Sequence, residues 1–272
     1  MKMIAVGDNV TDCYLDEKVF YPGGNAVNVA VGCKRDGFDE VAYIGVFGSD
    51  VNADHLKWAL GREGIVFERS RTVLAPSGQP GVKLVDGDRV FVSGPKNTAQ
   101  HILRLRLTPA DLEYIAGFDV CHTSCFSNIE PELPVMQKTC DISFDFSEYR
   151  DSAYLGRVCP YIRFAFFSGS DMEREDIERL MDECHALGTE IVGVTLGKRG
   201  SLFSRRGERF EQGIVETEVV DTMGAGDSFI AGFLTEFTRS GDMRTALRYA
   251  AGVSAETCRC HGGFGYPHPF AG

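Results

Sequence analysis

One stretch near the C-terminal end of the chain, residues 221–227 with the sequence DTMGAGD, constrains the fold more than any other. A β-branched run at residues 215–220 precedes it and predicts a strand, and apolar residues at helical spacing follow from Phe229 onward. The glycines are therefore expected where a strand turns into a helix. Free N–H groups at a helix start can hold an anion, and glycine lets a ligand approach the backbone closely.

Asp227 falls in the first turn of this predicted helix. A carboxylate at that position can reach the neighbourhood of an anion bound at the helix start. A base beside an anion cradle is what phosphoryl transfer requires. The alternative is that Asp227 only caps the helix, because acidic residues are favoured in a first helical turn. The seven residues leave both interpretations open.

Strand and helix patterns alternate through most of the chain. Strands are predicted at residues 3–6, 41–47, 118–122, 142–146, 161–167 and 191–196, and helices at residues 25–34, 53–62, 109–115, 131–138, 171–187, 225–239 and 243–259. This order predicts an α/β fold with a central, mainly parallel sheet that carries helices on both faces. Ligands bind beyond the carboxyl ends of the strands in such sheets, which would gather residues 7–8, 23–24, 145, 168, 197 and 224–227.

A block of short strands interrupts the alternation. Residues 66–71, 81–85 and 89–92 have strand patterns separated by Pro/Gly turns, and Asp86-Gly87 predicts a hairpin turn. We expect residues 12–22 and 65–93 to form a small sheet attached to a single domain that spans residues 1–272.

Composition restricts the partners and the compartment. The net charge of −11 disfavours a nucleic acid or an anionic membrane as a partner. No apolar run approaches the roughly 20 residues that span a bilayer. The nine cysteines are odd in number and scattered, which favours reduced thiols in a cytoplasm. The clusters at residues 121–125 and 258–261 lack the paired spacing of a zinc site.

Two common phosphate-binding motifs are absent from the sequence. A P-loop would need Ser or Thr after Gly197-Lys198, and Arg199 stands there. The dinucleotide fingerprint would need a third glycine where Phe229 stands. Phosphate binding therefore requires another scaffold.

With these motifs excluded, the chain resembles the ribokinase-like (PfkB) family of sugar kinases over nearly its full length. Four stretches carry the resemblance in order and spacing: residues 23–30 (GGNAVNVA), 45–50 (GVFGSD), 195–200 (TLGKRG) and 221–227. Within the family, the chain is most similar to the branch of bacterial fructosamine kinases (fructoselysine 6-kinases). The narrower likeness is carried by residues 23–31, 144–147, 164–166, 221–233 and 261–263.

The resemblance implies an ATP-dependent transfer of the γ-phosphoryl group to a primary hydroxyl of a fructosamine such as fructoselysine. Asp227 would be the general base, and the N–H groups of Gly224, Ala225 and Gly226 would form the anion hole. Substrate contacts are implied for Asp12, Gly24, Asn25 and Asn28. Nucleotide contacts are implied for Thr195, Gly197 and Gly200.

The acidic residues that would face the nucleotide and its Mg²⁺ depart from the family pattern. An Asn-x-x-Glu motif usually follows the strand at residues 161–167, and this chain has Ser168-Gly169-Ser170-Asp171 instead. Asp171 is the predicted metal residue. Asp145 either helps to hold metal or phosphate or caps the next helix. A K⁺ ion beside Asp221 is a further possibility that the resemblance raises.

Other functions stay open at this point. The chain could phosphorylate another small sugar, a phosphosugar or a nucleoside, or it could be a regulator that binds sugar or nucleotide without turnover. The resemblance also implies that the small sheet acts as a lid over the sugar and can form a homodimer contact.

Overall fold

A computed structural model describes residues 1–85, 88–92 and 94–269, and the predicted Asp86-Gly87 turn lies outside them. Its strands are β1 (Lys2–Gly7), β2 (Val10–Tyr14), β3 (Val19–Gly23), β4 (Glu40–Phe47), β5 (Arg71–Thr72), β6 (Gly81–Val85), β7 (Asp88–Val92), β8 (Val120–Ser124), β9 (Asp141–Asp145), β10 (Phe164–Ser168), β11 (Ile191–Thr195), β12 (Ser201–Arg205), β13 (Glu208–Gln212) and β14 (His268–Pro269). Its α-helices are α1 (Asn25–Asp36), α2 (Val51–Arg62), α3 (Ala99–Ile102), α4 (Pro109–Ile115), α5 (Leu133–Met136), α6 (Ser152–Val158), α7 (Arg174–Ala186), α8 (Ala225–Ser240) and α9 (Met243–Thr257).

The larger of two sheets has nine strands in the order β13-β12-β11-β10-β9-β8-β1-β4-β5. All its neighbouring strands run parallel except the β11–β12 and β12–β13 pairs, which are antiparallel. The predicted mainly parallel α/β sheet is therefore confirmed. Its carboxyl edge collects the ends of β1, β8, β9, β10 and β11.

Helices cover both faces of this sheet, as predicted. Alternate residues of β1 show the division: Met3 and Ala5 enter the core beneath α1, α2, α8 and α9, whereas Ile4 and Val6 enter the core beneath α4, α5, α6 and α7. All four side chains are fully buried. A strand that is apolar on both faces is what a covered parallel sheet requires.

Helices α1 and α8 lie side by side with their N-termini at the carboxyl edge. A Cβ on Gly32 of α1 would stand 2.6 Å from the Cβ of Ala231 on α8, so the glycine allows the close packing. Gly24 precedes α1 with φ 105°, and Gly224 precedes α8 with φ 73°. Both values favour glycine, and both helices therefore start at a residue that a side chain would strain.

The smaller sheet has the strand order β14-β3-β2-β6-β7. Residues 65–72 do not belong to it, contrary to the sequence prediction. The only strand there, β5, pairs with β4 at the edge of the larger sheet, and Phe67 packs against the larger core. The C-terminal segment instead supplies β14.

Two further local predictions were wrong. Residues 215–220 form no strand, although they are β-branched. Val219 and Val220 are 55% and 42% exposed, so they lack the half-buried pleated surface that favours such residues in strands. The predicted helix at residues 131–138 is reduced to α5 after a 3₁₀ turn at Glu130–Glu132. Within the described ranges, no helix has the length and apolar character needed to cross a membrane.

Candidate active site

The paired starts of α1 and α8 bring Asn25, Asn28 and Asp227 together. The Asn25 Nδ2 donates to Asp227 Oδ1 at 2.8 Å, and the Asn28 Nδ2 donates to Asp227 Oδ2 at 2.6 Å. The two asparagines are three residues apart in α1 and so share a helix face. Each oxygen of the half-buried Asp227 carboxylate thus receives an amide donor, and the two donors fix its direction.

A second carboxyl group, Asp145 at the end of β9, lies next to this pair. The same Asn25 Nδ2 donates to Asp145 Oδ2 at 2.8 Å, so one amide nitrogen bridges two acidic side chains. Burial, followed by the negative charge of Asp227, raises the pKa of Asp145 to about 7, against the lowering effect of the Ser147 N–H and the Asn25 amide. The two acidic groups are therefore electrostatically coupled.

His122 on β8 supports Asn25 from beneath and is fully buried. Its Nε2 lies 2.9 Å from Asn25 Oδ1, and its Nδ1 lies 2.8 Å from Ser143 Oγ on β9. Burial lowers the pKa of His122 to about 3, so the ring is neutral at physiological pH. Sequence reasoning considered His122 only as a zinc ligand. The available signal was a histidine inside an apolar strand that ends at the ligand-binding edge.

The start of α8 has the form of an anion hole. The Ala225 N–H closes a turn onto the Thr222 carbonyl at 3.2 Å. The N–H groups of Gly224 and Gly226 donate to no other group in the described part of the chain. A Cβ on Gly226 would meet no atom within 4 Å, so no other group of the described residues packs against this position of α8. Of the three N–H groups predicted for the anion hole, the one of Ala225 is thus already hydrogen-bonded, whereas those of Gly224 and Gly226 have no acceptor among the described residues.

The C-terminal segment, residues 258–269, packs against the loop at residues 221–224, called the anion-hole loop after its predicted role. A Cβ on Gly224 would stand 2.7 Å from the Cα of Gly263, and one on Gly263 would stand 2.7 Å from Asn28 Oδ1. The fully buried Asp221 carboxylate accepts hydrogen bonds from the Tyr14 hydroxyl, the Met223 N–H at 2.9 Å and the Gly262 N–H at 3.0 Å. These contacts join the small sheet, the anion-hole loop and the C-terminal segment, and sequence reasoning did not anticipate them.

The other predicted substrate residues lie where the small sheet meets α1. Asp12 on β2 is 3% exposed, and its Oδ2 fills the space that a Cβ on Gly23 would need. Gly24 is equally confined, because its Cβ would stand 2.7 Å from the Cα of Asn9. The predicted substrate residues thus lie on the small sheet and at the start of α1.

The predicted nucleotide residues Thr195, Gly197 and Gly200 follow the end of β11. The Thr195 hydroxyl donates to the Phe167 carbonyl at 3.3 Å, and a Cβ on Gly200 would stand 2.2 Å from the Gln212 carbonyl oxygen. The two glycines have φ values of 56° and 86° and flank a 3₁₀ turn at Gly197–Arg199. Across the described part of the chain, no hydrogen bond joins these residues to Asp227.

Asp171, the predicted metal residue, lies on the surface. Its carboxylate forms an ion pair with Arg150 at 2.9 Å, and the Arg150 guanidinium lowers the pKa of this carboxyl group. No group of three or more His, Cys, Asp or Glu residues that could hold a metal ion is present in the ranges that the structure describes. The protein side chains there do not form a metal cage.

A family model for pfkB family carbohydrate kinases matches residues 2–268. The chain belongs to the PfkB family of carbohydrate kinases. This PfkB kinase is therefore a phosphotransferase that acts on a sugar hydroxyl, as predicted.

Two curated relatives are similar to this PfkB kinase over almost their whole lengths. It is 45% identical over 271 residues to the fructosamine kinase FrlD of Bacillus subtilis, which covers 99% of this chain and 95% of the relative. It is 33% identical over 264 residues to the fructoselysine 6-kinase of Escherichia coli, which covers 96% of this chain and 99% of the relative.

Solved structures confirm the ribokinase-like fold of this PfkB kinase. The ribokinase of Arabidopsis thaliana, solved as a complex with ribose and ATP, superimposes with a TM-score of 0.81 at 20% identity and covers 96% of this chain and 93% of its own. The ribokinase of Giardia lamblia gives a TM-score of 0.83 at 19% identity, with 97% and 94% covered.

Proposed function

We propose that this PfkB kinase transfers the γ-phosphoryl group of ATP to a primary hydroxyl of a fructosamine such as fructoselysine. The observation that carries the mechanism is the placement of Asp227: two amides hold its carboxylate in the first turn of α8, beside the N–H groups of Gly224 and Gly226. The observation that supports the acceptor is the likeness to two relatives whose names state that activity.

In the proposed reaction Asp227 takes the proton from the attacking hydroxyl. The N–H groups of Gly224 and Gly226, at the positive end of α8, face the charge that develops on the γ-phosphoryl oxygens. The transition state of phosphoryl transfer is loose, with weak bonds to both the attacking and the leaving oxygen. Orientation of the reactants and stabilisation of charge therefore supply most of the rate enhancement.

The buried oxygen of Asn28 gives a contact for the acceptor sugar. Asn28 Oδ1 has no hydrogen-bond partner, although its amide nitrogen is bound to Asp227. A buried polar atom without a partner is uncommon in a native structure. A second sugar hydroxyl, next to the one whose proton Asp227 takes, would satisfy it by donating to Asn28 Oδ1. Asp12 and Gly24, at the junction with the small sheet, are the further substrate contacts in this proposal.

Mg²⁺ enters the proposal with the nucleotide, because the described acidic side chains form no cage of three ligands. Its chemistry would be to neutralise charge on the phosphate oxygens. Asp145, next to Asp227, fits that position better than the surface residue Asp171, which is paired with Arg150. The predicted K⁺ ion beside Asp221 gains no support from a carboxylate that already accepts three hydrogen bonds.

Two broader features belong to the same proposal. All nine cysteines are free, which supports a reducing compartment and hence the cytoplasm.

The small sheet would act as the lid. Its outer strand β7 carries Val90 and Phe91, which are 44% and 56% exposed and would contact a second copy of the chain. The homodimer stays a prediction.

The first test is ADP release by the purified protein with ATP, Mg²⁺ and a panel of acceptors: fructoselysine, fructose, ribose, fructose 6-phosphate and adenosine. We expect selective turnover of fructoselysine. Selective turnover of another acceptor would overturn the substrate and retain the mechanism. Equal, background-level ADP release with every acceptor would favour a regulator without turnover.

The second test is Asp227→Asn, which removes the base and keeps the size of the side chain. Because a positioned general base contributes about 10²–10⁴-fold, kcat should fall by that factor. Asp176→Asn, on the exposed first turn of α7, is the matched control and should retain its rate. Near-normal turnover by Asp227→Asn would contradict the assigned role.

A further inference from the structure

Five side chains, including the carboxylate of Asp227, form a continuous hydrogen-bonded chain. It begins at Ser143 on β9, passes through His122 on β8 and Asn25 on α1, and ends at Asp145 and Asp227. Ser143 and His122 are fully buried, and Asn25 and Asp145 are each 8% exposed. The chain links two strands and two helices whose residues are far apart in sequence.

The direction of each hydrogen bond follows from chemistry. An ionised carboxylate only accepts, so Asn25 must present its NH₂ group to Asp145 and Asp227. Its oxygen then faces His122 Nε2, which must carry the ring proton. A neutral imidazole has only one N–H, so Nδ1 accepts from the Ser143 hydroxyl. The histidine is thereby restricted to one of its two neutral tautomers.

The reversed orientation of Asn25 would place its oxygen against two carboxyl groups. That arrangement would be tolerated only if both groups were protonated, since oxygen and carboxylate are both acceptors. The Nε2–H of His122 is the contact that opposes this reversal from the other side of the amide. Removing it leaves the Asn25 oxygen buried without a donor, which destabilises the orientation seen here.

We propose that His122 is a positioning residue for phosphoryl transfer: its Nε2–H holds the Asn25 amide so that one nitrogen restrains both Asp227 and Asp145. The inference deepens the proposed function and rests on the role of Asp227 in it. His122 itself touches neither Asp227 nor the space in front of α8 through any hydrogen bond in the described chain. It acts through Asn25.

The proposal has a consequence for acid–base behaviour. The bridging amide stabilises the charged forms of both carboxyl groups, and Asp8 beyond the end of β1 opposes those charges. Cys125 also faces the pair, and burial, followed by the negative charge of Asp145, raises the pKa of its thiol. Without the His122 donor, the amide restrains the carboxylates less well. Proton affinity at the pair should then rise, and the acidic limb of the pH–rate profile should move to higher pH.

The kinetic test compares His122→Phe with His122→Gln and the control His185→Phe. Gln can donate an amide N–H near the position of Nε2, whereas Phe cannot. His185 also makes two hydrogen bonds, to the Thr189 carbonyl and the Ser204 hydroxyl, but lies at the amino end of β11. We expect His122→Phe to lower kcat about 10- to 100-fold with little change in the KM for ATP. The apparent pKa of the acidic limb of its pH–rate profile should rise by about one unit.

The same experiment separates positioning from folding. His122→Gln should recover most of kcat and the original acidic limb, and His185→Phe should alter thermal stability without altering either. Equal kinetic losses in the Phe and Gln variants, or an unmoved acidic limb in both, would overturn the proposal.

A spectroscopic measurement on the protein without substrate decides the inference independently of any acceptor. Ring ¹⁵N shifts should show His122 as the neutral Nε2–H tautomer from pH 5 to 9. In ¹³C titrations of the Asp carboxyl groups, the midpoints of Asp145 and Asp227 should be shifted in His122→Phe. They should return to the original values in His122→Gln. An Nδ1–H tautomer, or identical titrations in all three proteins, would refute it. If no acceptor is phosphorylated while these shifts appear, the proposed function fails and the His122 contact stands.

Discussion

The carboxyl edge of the larger sheet and the small sheet meet at one site but are supported very differently. The larger sheet lies between two extensive buried cores, and Phe233 and His122 are fully buried within or beside them. The buried core of the small sheet consists of Tyr14, Tyr21, Val82 and Met223, and one of these belongs to the anion-hole loop. The proposed base Asp227 therefore stands on the better packed region, and the proposed substrate residue Asp12 stands on the less packed one.

The largest expected effect tests the strength of the main core. Phe233→Ala removes a fully buried ring that stacks on Phe237 with centroids 5.4 Å apart and lies 5.0 Å from Phe203. The free energy of unfolding in urea should fall by about 3–5 kcal/mol. A loss as small as that expected below for the small sheet would remove the contrast between the two regions.

The next prediction concerns pH and the coupled carboxyl groups. Burial and Asp227 raise the pKa of Asp145 from 3.8 to about 7, so its contribution to stability is complete below pH ~4 and is lost as the pH rises through ~7. The free energy of unfolding of Asp145→Asn, taken as a difference from that of the unchanged protein, should therefore be about 2–4 kcal/mol more favourable to the variant at pH 8 than at pH 4. Denaturation at both pH values measures it, and a difference that does not change with pH would contradict the raised pKa.

The third prediction concerns the C-terminal segment that joins the two regions. Gly263→Ala places a Cβ 2.7 Å from Asn28 Oδ1, so the amide must move from Asp227. We expect kcat to fall about 10- to 100-fold in the ADP-release assay, as misplacement of a positioning group does. Gly252→Ala in α9, where a Cβ meets no atom within 4 Å, is the control and should keep its rate. Equal rates in both variants would show that the segment does not position Asn28.

The smallest expected effect tests the small sheet itself. Val82 on β6 is 1% exposed and belongs to the minor core. Val82→Ala should lower the free energy of unfolding by about 1–2 kcal/mol, because two methyl groups leave a core that can relax. Urea denaturation should show a loss well below that of Phe233→Ala. Similar losses would show that both sheets unfold as equally packed parts of one core.

Sequence patterns predicted the larger sheet well because its information is local. Each buried parallel strand is a short apolar run, and the helices between them repeat apolar residues at helical spacing. The same reasoning failed at residues 215–220 and 66–71. Both segments have the right residue types, but a β-branched residue forms a strand only where a neighbouring strand and a half-buried surface are available.

The site divides in the same way. Asp227, Asn25 and Asn28 follow from short motifs, and the structure places them in direct contact. His122 is 97 residues from Asn25, and Tyr14 is 207 residues from Asp221. Contacts of that separation depend on how the whole chain folds, so local spacing does not give the partners, although the place of His122 in an apolar strand marked it as unusual.

The buried carboxylate of Asp221 has a consequence for the order in which parts of the protein fold during synthesis. It is 207 residues from Tyr14 and 41 residues from Gly262, and it binds both. A growing polypeptide can therefore assemble β1 and α1 early, but it can complete the loop at residues 221–224 only after the final segment has emerged from the ribosome. Because contacts of long sequence separation form slowly, the kinase should acquire its active centre last, and a chain that ends before Gly262 should be folded in part yet unable to turn over.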